Sequence, residues 1–239
     1  SREQDLSGIV NGIDYSVYNP RTDKYIFETY DEESLDRKLD NKIALQKSLG
    51  LPERRNVPLI AIVSRLVEPK GMDLVVDEIL QHEDIQLVVL GTGEKRYEDW
   101  FKGLAWRYPK KVSVNIYFSN ELAQRIYAGA DIFLMPSNYE PCGIGQLVAL
   151  RYGTIPVVRQ TGGLKDTVQQ YNKYTQEGNG FVFENYDAHD MMYALKRALS
   201  FYGSYEIWHK IQFNAVQADY SWKRSAKEYE ALYERLTAK

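Results

Sequence analysis

From Pro58 onward, short apolar runs alternate with longer stretches in which apolar positions return every three or four residues. The runs at 59–64, 86–90, 112–117, 132–135, 155–158 and 181–183 are rich in Val, Ile, Leu and Phe and show little polar alternation. Strands covered on both faces read this way, whereas half-exposed strands alternate. Between them, 72–80, 97–108, 120–128, 145–152 and 164–171 carry helical periodicity. Strand and helix alternating at this spacing predict an α/β fold: a Rossmann-like, doubly wound parallel sheet with right-handed crossovers.

Two flanks stand outside the alternation. Residues 1–56 hold a turn-rich start (Asn11-Gly12-Ile13-Asp14 and Asn19-Pro20) and then a charged helix near 33–49, closed by Gly50. Residues 188–239 read as consecutive helices with turns at Gly203 and at 219–221. The last helix has apolar positions at Ala226, Tyr229, Leu232, Tyr233 and Leu236, the spacing of a one-sided stripe. That stripe needs a partner, either this sheet or a domain outside the chain. The start at Ser1-Arg2-Glu3, without methionine, is expected of a piece of something longer.

Composition narrows the class. In 239 residues, 30 basic and 33 acidic side chains leave a net charge of −3. Nothing there suggests a nucleic-acid or anionic-membrane surface. No apolar run nears the roughly 18 residues of a membrane span, and no signal-peptide pattern is present. One cysteine cannot form an internal disulfide, which fits a reducing compartment. Aromatics reach 13% with 19 tyrosines, most of them expected in the core and helix seams.

The chemistry concentrates at predicted strand ends. Glu140-Pro141-Cys142-Gly143-Ile144-Gly145-Gln146 follows the run 132–135 and leads into a helix, with Thr161-Gly162-Gly163-Leu164 after the next strand. In an open α/β sheet, ligands sit outside the carboxyl ends of the strands. A carboxylate there accepts from sugar hydroxyls, while free N–H groups at a helix start face an anion. The stretch reads as the sugar-and-phosphate end of a nucleotide-sugar site. Ser64-Arg65-Leu66-Val67-Glu68-Pro69-Lys70-Gly71 brings two cations to the same edge, where an Arg fork and a mobile Lys suit a diphosphate. Gly91-Thr92-Gly93 follows the second strand; its glycines let a ligand approach the backbone closely. Tyr117-Phe118-Ser119 ends the third; periodicity alone makes Phe118 a core aromatic, and its position at the edge would let it stack on a nucleobase.

Other readings are weaker. Cys142 has no histidine partner in a nucleophile signature, and His82, His189 and His209 have no metal-ligand spacing. No Asp-x-Asp is present to chelate a metal-bound nucleotide, so no metal or other cofactor is expected, and Arg65 and Lys70 must neutralise any diphosphate.

Together these residues resemble the bacterial glycogen synthase and plant starch synthase family, retaining glycosyltransferases of two-domain GT-B architecture. The resemblance runs from Val10-Asn11-Gly12-Ile13-Asp14 through Ser64-Arg65-Leu66 with Lys70-Gly71, peaks from Pro136-Ser137 to Thr167, and closes at Tyr220-Ser221-Trp222. Many sugar transferases carry a second acid eight residues after the first; here Val148 stands in that place, and Gln146 matches the synthases.

The resemblance implies transfer of glucose from ADP-glucose to an α-1,4-glucan with retention. Arg65 and Lys70 would hold the diphosphate and Glu140 a glucose hydroxyl, with Cys142, Gly143 and Ile144 lining the glucosyl pocket. Phe118 would stack on adenine beside Gly91 and Thr92. Gly145 stands where relatives often carry Thr, and Thr161 opens the next loop of the site. The implied organisation is an interdomain connection over 1–20, a nucleotide-sugar-binding domain over 21–220, and a last helix over 221–239 that packs on an amino-terminal domain outside this chain. Cytoplasm, or plastid stroma in a plant, is the implied compartment. Alternatives are a related UDP-sugar transferase and a non-catalytic module that binds nucleotide-sugar or glucan.

Overall fold

Six strands form one parallel sheet in the order β3-β2-β1-β4-β5-β6. They are β1 (Leu59–Val63), β2 (Gln86–Leu90), β3 (Val112–Asn115), β4 (Ile132–Met135), β5 (Ile155–Arg159) and β6 (Phe181–Phe183). The computed structural model describes residues 6–238; 1–5, the start of the expected interdomain connection, and Lys239 lie outside the described residues. The sheet reverses direction of growth between β1 and β4, which pair through Ile60 with Ile132 and Ala61 with Phe133. That reversal is the switch point at which doubly wound sheets open a ligand crevice.

Helices α2 (Glu78–His82), α3 (Lys95–Arg107), α7 (Ala188–Tyr202) and α8 (Tyr205–Gln217) cover one face. On the other lie α1 (Lys38–Ser48), α4 (Asn120–Gly129) and α5 (Gly145–Arg151). β1 shows why both faces are apolar: Ile60 and Ile62 enter the first core, Leu59 and Ala61 the second. α6 (Gly162–Thr167) follows β5, and α9 (Trp222–Thr237) follows α8. Gly50 takes the left-handed conformation (φ 70°) just past α1, and Leu51 N–H closes that end on the Gln46 carbonyl.

Three predicted elements are corrected. The helix expected over 72–80 is a 3-10 turn at Met72–Leu74 followed by α2, with Val75 between them at ψ 85°. Two adjacent β-branched residues stand at 75–76, and the Val75 carbonyl accepts from Trp100 Nε1 (3.0 Å) instead of from a helical N–H. The helix expected over 164–171 ends at Thr167, because Val168 turns extended and Tyr171 N–H bonds to the Gly180 carbonyl. Strand β3 stops at Asn115, two residues early, which releases Tyr117 and Phe118 from the core. Phe118 is 84% exposed and is no core aromatic.

Among the described residues the stripe on α9 finds no partner. Trp222, Tyr229, Tyr233 and Leu236 are exposed, and Ser225, the helix's buried residue, bonds through Oγ to the Val10 carbonyl (2.8 Å). Ile13 pairs with Ser221, so the amino-terminal segment and the start of α9 run side by side. Among the described residues no helix is long and apolar enough to cross a membrane.

Candidate donor site

Every predicted site residue lies at the carboxyl edge of the sheet, in loops on either side of the switch point. They form two groups. Arg65, Gly91, Thr92 and Phe118 line one cavity of about 230 Å³, together with Tyr117 and Ser119. Lys70, Glu140, the 142–145 backbone and Thr161 gather outside that cavity, where the loops after β1, β4 and β5 meet.

The 64–71 loop joins the groups. On one side Leu66 N–H donates to the Thr92 carbonyl (2.9 Å), and Glu94 N–H donates to Leu66 (2.8 Å). On the other side Asn138 N–H donates to the Pro69 carbonyl (3.0 Å). A 3-10 turn at Glu68–Lys70 lifts Lys70 toward the second group, where its ammonium donates to the Glu140 carboxylate. This pair is largely shielded, with side-chain exposures of 20% for Lys70 and 9% for Glu140. Arg65 is exposed and meets no carboxylate among the described residues. The two cations therefore differ at rest: Arg65 is free for an anion, and Lys70 is already neutralised.

The Glu140 loop is built on close backbone approach. Gly163 N–H donates to the carbonyls of Glu140 (3.2 Å) and Pro141 (3.1 Å). A Cβ at Gly163 would lie inside contact distance of the Cys142 backbone, so α6 sits on the loop only because residue 163 has no side chain. Gly163→Ala is expected to lower stability by about 1–3 kcal/mol, as overpacking does, and to move the Glu140 loop. Thermal melting checks the first effect. Among the described residues, the backbone N–H groups of Gly143, Ile144, Gly145 and Gln146 have no partner within the chain. Helix starts leave such donors free, and here they adjoin the Lys70–Glu140 pair.

Individual positions add detail. Thr161 precedes α6 and its side chain makes no capping bond to that helix. Cys142 is a free, half-buried thiol. A side chain at Gly145 would approach the Phe133 ring at 3.0 Å, so that ring must yield to any Cβ placed there. Arg159, which the sequence reading did not single out, braces the loop: Nη1 donates to the Asn138 carbonyl (2.6 Å) and Nε to Glu184 (3.0 Å). Its guanidinium stacks over Tyr186, whose hydroxyl donates to Asp73. Burial, and then Asp73, push that hydroxyl above its ordinary pKa. A lone Arg at a strand end carries no motif, and only its contacts reveal its place.

A family model described as glycosyl transferases group 1 matches residues 41–212, most of the chain and every loop of this edge. The chain belongs to the glycosyl transferases group 1 family. Within the glycosyl transferases, it is 54% identical over its whole length to a glycogen synthase of Clostridium novyi and covers 50% of that protein. It is 56% identical over 98% of its length to one of Desulforamulus reducens, covering 49% of it. It thus spans about half the length of the curated relatives it matches. The catalytic domain of starch synthase IV from Arabidopsis thaliana, bound to ADP and acarbose, superposes with a TM-score of 0.90 at 35% identity. That match covers 99% of this chain and 50% of the other. The resemblance to glycogen and starch synthases therefore holds across the whole chain, and the fold is the Rossmann-like half of a GT-B glycosyltransferase.

Proposed function

We propose that this chain is the carboxy-terminal, donor-binding half of an enzyme that moves glucose from ADP-glucose to the non-reducing end of an α-1,4-glucan. The observation that carries the reading is the arrangement at the switch point. An exposed aromatic and a free Arg flank one cavity, and a Lys–Glu pair beside open backbone N–H groups lies next to it. Adenine stacks on Phe118, close to Gly91 and Thr92, whose backbone admits it. The diphosphate meets Arg65 first and then draws Lys70 from Glu140. Glu140, released, accepts from a glucose hydroxyl, while the backbone of Cys142, Gly143 and Ile144 surrounds the sugar, with Gly145 and Thr161 closing it.

The positive charge of Arg65 and Lys70 stabilises the departing diphosphate, so the protein's contribution is electrostatic. Glu140 is the one acid between 136 and 151, and once released it holds the sugar, so this loop places no second acid as a glycosidase nucleophile. Transfer is then direct, without a glycosyl-enzyme intermediate, and retention is what the likeness to the synthases implies. Residues 8–20 and α9 belong to the connection with the other half, whose surface covers the Ala226–Leu236 stripe and completes the acceptor site. The setting is the cytoplasm of a bacterium, or the stroma if the source is a plant.

Calorimetry with ADP-glucose and UDP-glucose tests the donor. ADP-glucose is expected to bind more tightly, and Phe118→Ala to weaken it by about 1–3 kcal/mol, the worth of one base–aromatic stack. Equal binding of both donors, unaffected by Phe118→Ala, would favour a related UDP-sugar transferase. Alone, the chain is expected to bind donor weakly and to extend glucan little or not at all; measurable extension would refute that division of labour.

A further inference from the structure

The carboxamide of Gln146 is fully buried at the start of α5 and faces the loop it follows. Its Nε2 donates to the carbonyls of Cys142 (2.9 Å) and Gly143 (3.1 Å) and to Thr167 Oγ1 (3.2 Å). The Thr167 hydroxyl in turn donates to the Gly163 carbonyl (2.6 Å), one helical turn back along α6. Thr167 is itself fixed, because its carbonyl accepts from Tyr220 Oη (2.7 Å) and Asn179 Nδ2 (3.1 Å). One buried amide thus ties the loop after β4 to the end of α6.

The orientation of this amide is dictated. Turned over, its oxygen would face three oxygens, two of which have no proton to give. As placed, Gln146 Oε1 has no partner among the described residues and lies against Gly143, where any Cβ would collide with it. Gly143 takes φ 73°, a conformation glycine adopts without strain. The backbone at Cys142–Gly143 is therefore held in one course by a donor that needs residue 143 to be bare.

We propose that Gln146 is a positioning residue for the donor: through Thr167, its amide sets the course of the Glu140–Gly145 backbone. This rests on the donor reading above. The Gln146 side chain touches no substrate; it acts by keeping Glu140 and the Cys142–Ile144 backbone where a glucosyl group meets them. An apolar side chain of similar size fills the same space and supplies no donor, which separates positioning from mere packing.

Gln146→Met in this chain is the test, and Cys142 is the reporter, since it is the only cysteine in the sequence and sits in the held loop. With melting temperature close to wild type, Gln146→Met is expected to speed labelling of Cys142 by a thiol reagent about 10-fold, the effect of losing roughly 1.4 kcal/mol of loop restraint. ADP-glucose affinity is expected to fall by a similar factor, while AMP, which reaches the Phe118 cavity and stops short of the loop, binds within about twofold of wild type. Wild-type labelling and wild-type ADP-glucose affinity in the variant would overturn the proposal. Should Gln146→Met fail to fold, Thr167→Val, which removes the bridging hydroxyl at equal volume, decides by the same two readouts. If the unaltered chain binds no ADP-glucose, the donor reading fails, and the labelling rate alone decides whether Gln146 holds the loop.

Discussion

Arg65→Ala, in the complete transferase containing this chain, is expected to lower kcat about 100- to 1,000-fold, the usual cost of removing one group that stabilises transition-state charge. Lys70→Ala is expected to match it in turnover and differ from it in stability. Arg65 is exposed and pairs with no carboxylate among the described residues, so its removal leaves the fold intact. Lys70 is the counter-ion of Glu140, and its removal strands a carboxylate that is 9% exposed. Truncating one partner of a shielded pair costs about 2–5 kcal/mol, most of it from the unpaired group left behind. The double variant Lys70→Met, Glu140→Gln is therefore expected to melt well above Lys70→Met alone while remaining inactive. Steady-state kinetics and melting curves of the four proteins check both halves. Near-unchanged kcat in Arg65→Ala and Lys70→Ala would remove both cations from the mechanism.

The largest stability effect is expected far from the site, at the opposite edge of the sheet. Asp131, just before β4, pairs with Lys42 of α1 (2.7 Å) and accepts from Leu59 N–H (2.8 Å). Lys42 is buried and also donates to Tyr202 Oη (2.7 Å) and the Arg55 carbonyl (3.1 Å). Lys38 lies one turn earlier, donating to the carbonyls of Tyr127 (3.0 Å) and Ala128 (2.6 Å) and to Thr154 Oγ1 (2.7 Å). Burial pushes the Lys38 ammonium down to about 7; Asp131 opposes that push and Lys42 adds to it. Asp131→Ala leaves the buried Lys42 ammonium without its carboxylate and removes the charge that opposes the desolvation of Lys38. Breaking a buried pair this way costs about 3–5 kcal/mol. For a chain of this length that is a fall of roughly 6–20 °C in melting temperature. A fall below 3 °C would show that the carbonyls around Lys38 and Lys42 carry these charges by themselves.

The sheet was legible in the sequence because its strands are buried on both faces and read as unbroken apolar runs, at 59–63 and 86–90 above all. The site loops were legible because strand ends in such a sheet share one edge. What stayed hidden was set by tertiary contacts. The break before α2 depends on Trp100 taking the Val75 carbonyl, which no local pattern announces. Phe118 read as core because it follows a strand, and only the early end of β3 exposes it. The pairing of Lys70 with Glu140 joins residues 70 positions apart. The buried ammonium groups of Lys38 and Lys42 lie in what reads as an ordinary charged helix. Arg159 and Gln146 act through backbone carbonyls, which residue types do not reveal.

The central claim is that a nucleotide-sugar lies across the switch point, base in the Phe118 cavity and sugar on the Glu140 loop. Amide hydrogen exchange of this chain, with and without saturating ADP-glucose, tests it most directly. The account predicts slowed exchange at 91–93, 117–119 and 142–146, with the rest of the sheet unchanged. Protection absent from all three loops, or confined to the opposite edge around Lys38, Asp131 and Trp208, would contradict it.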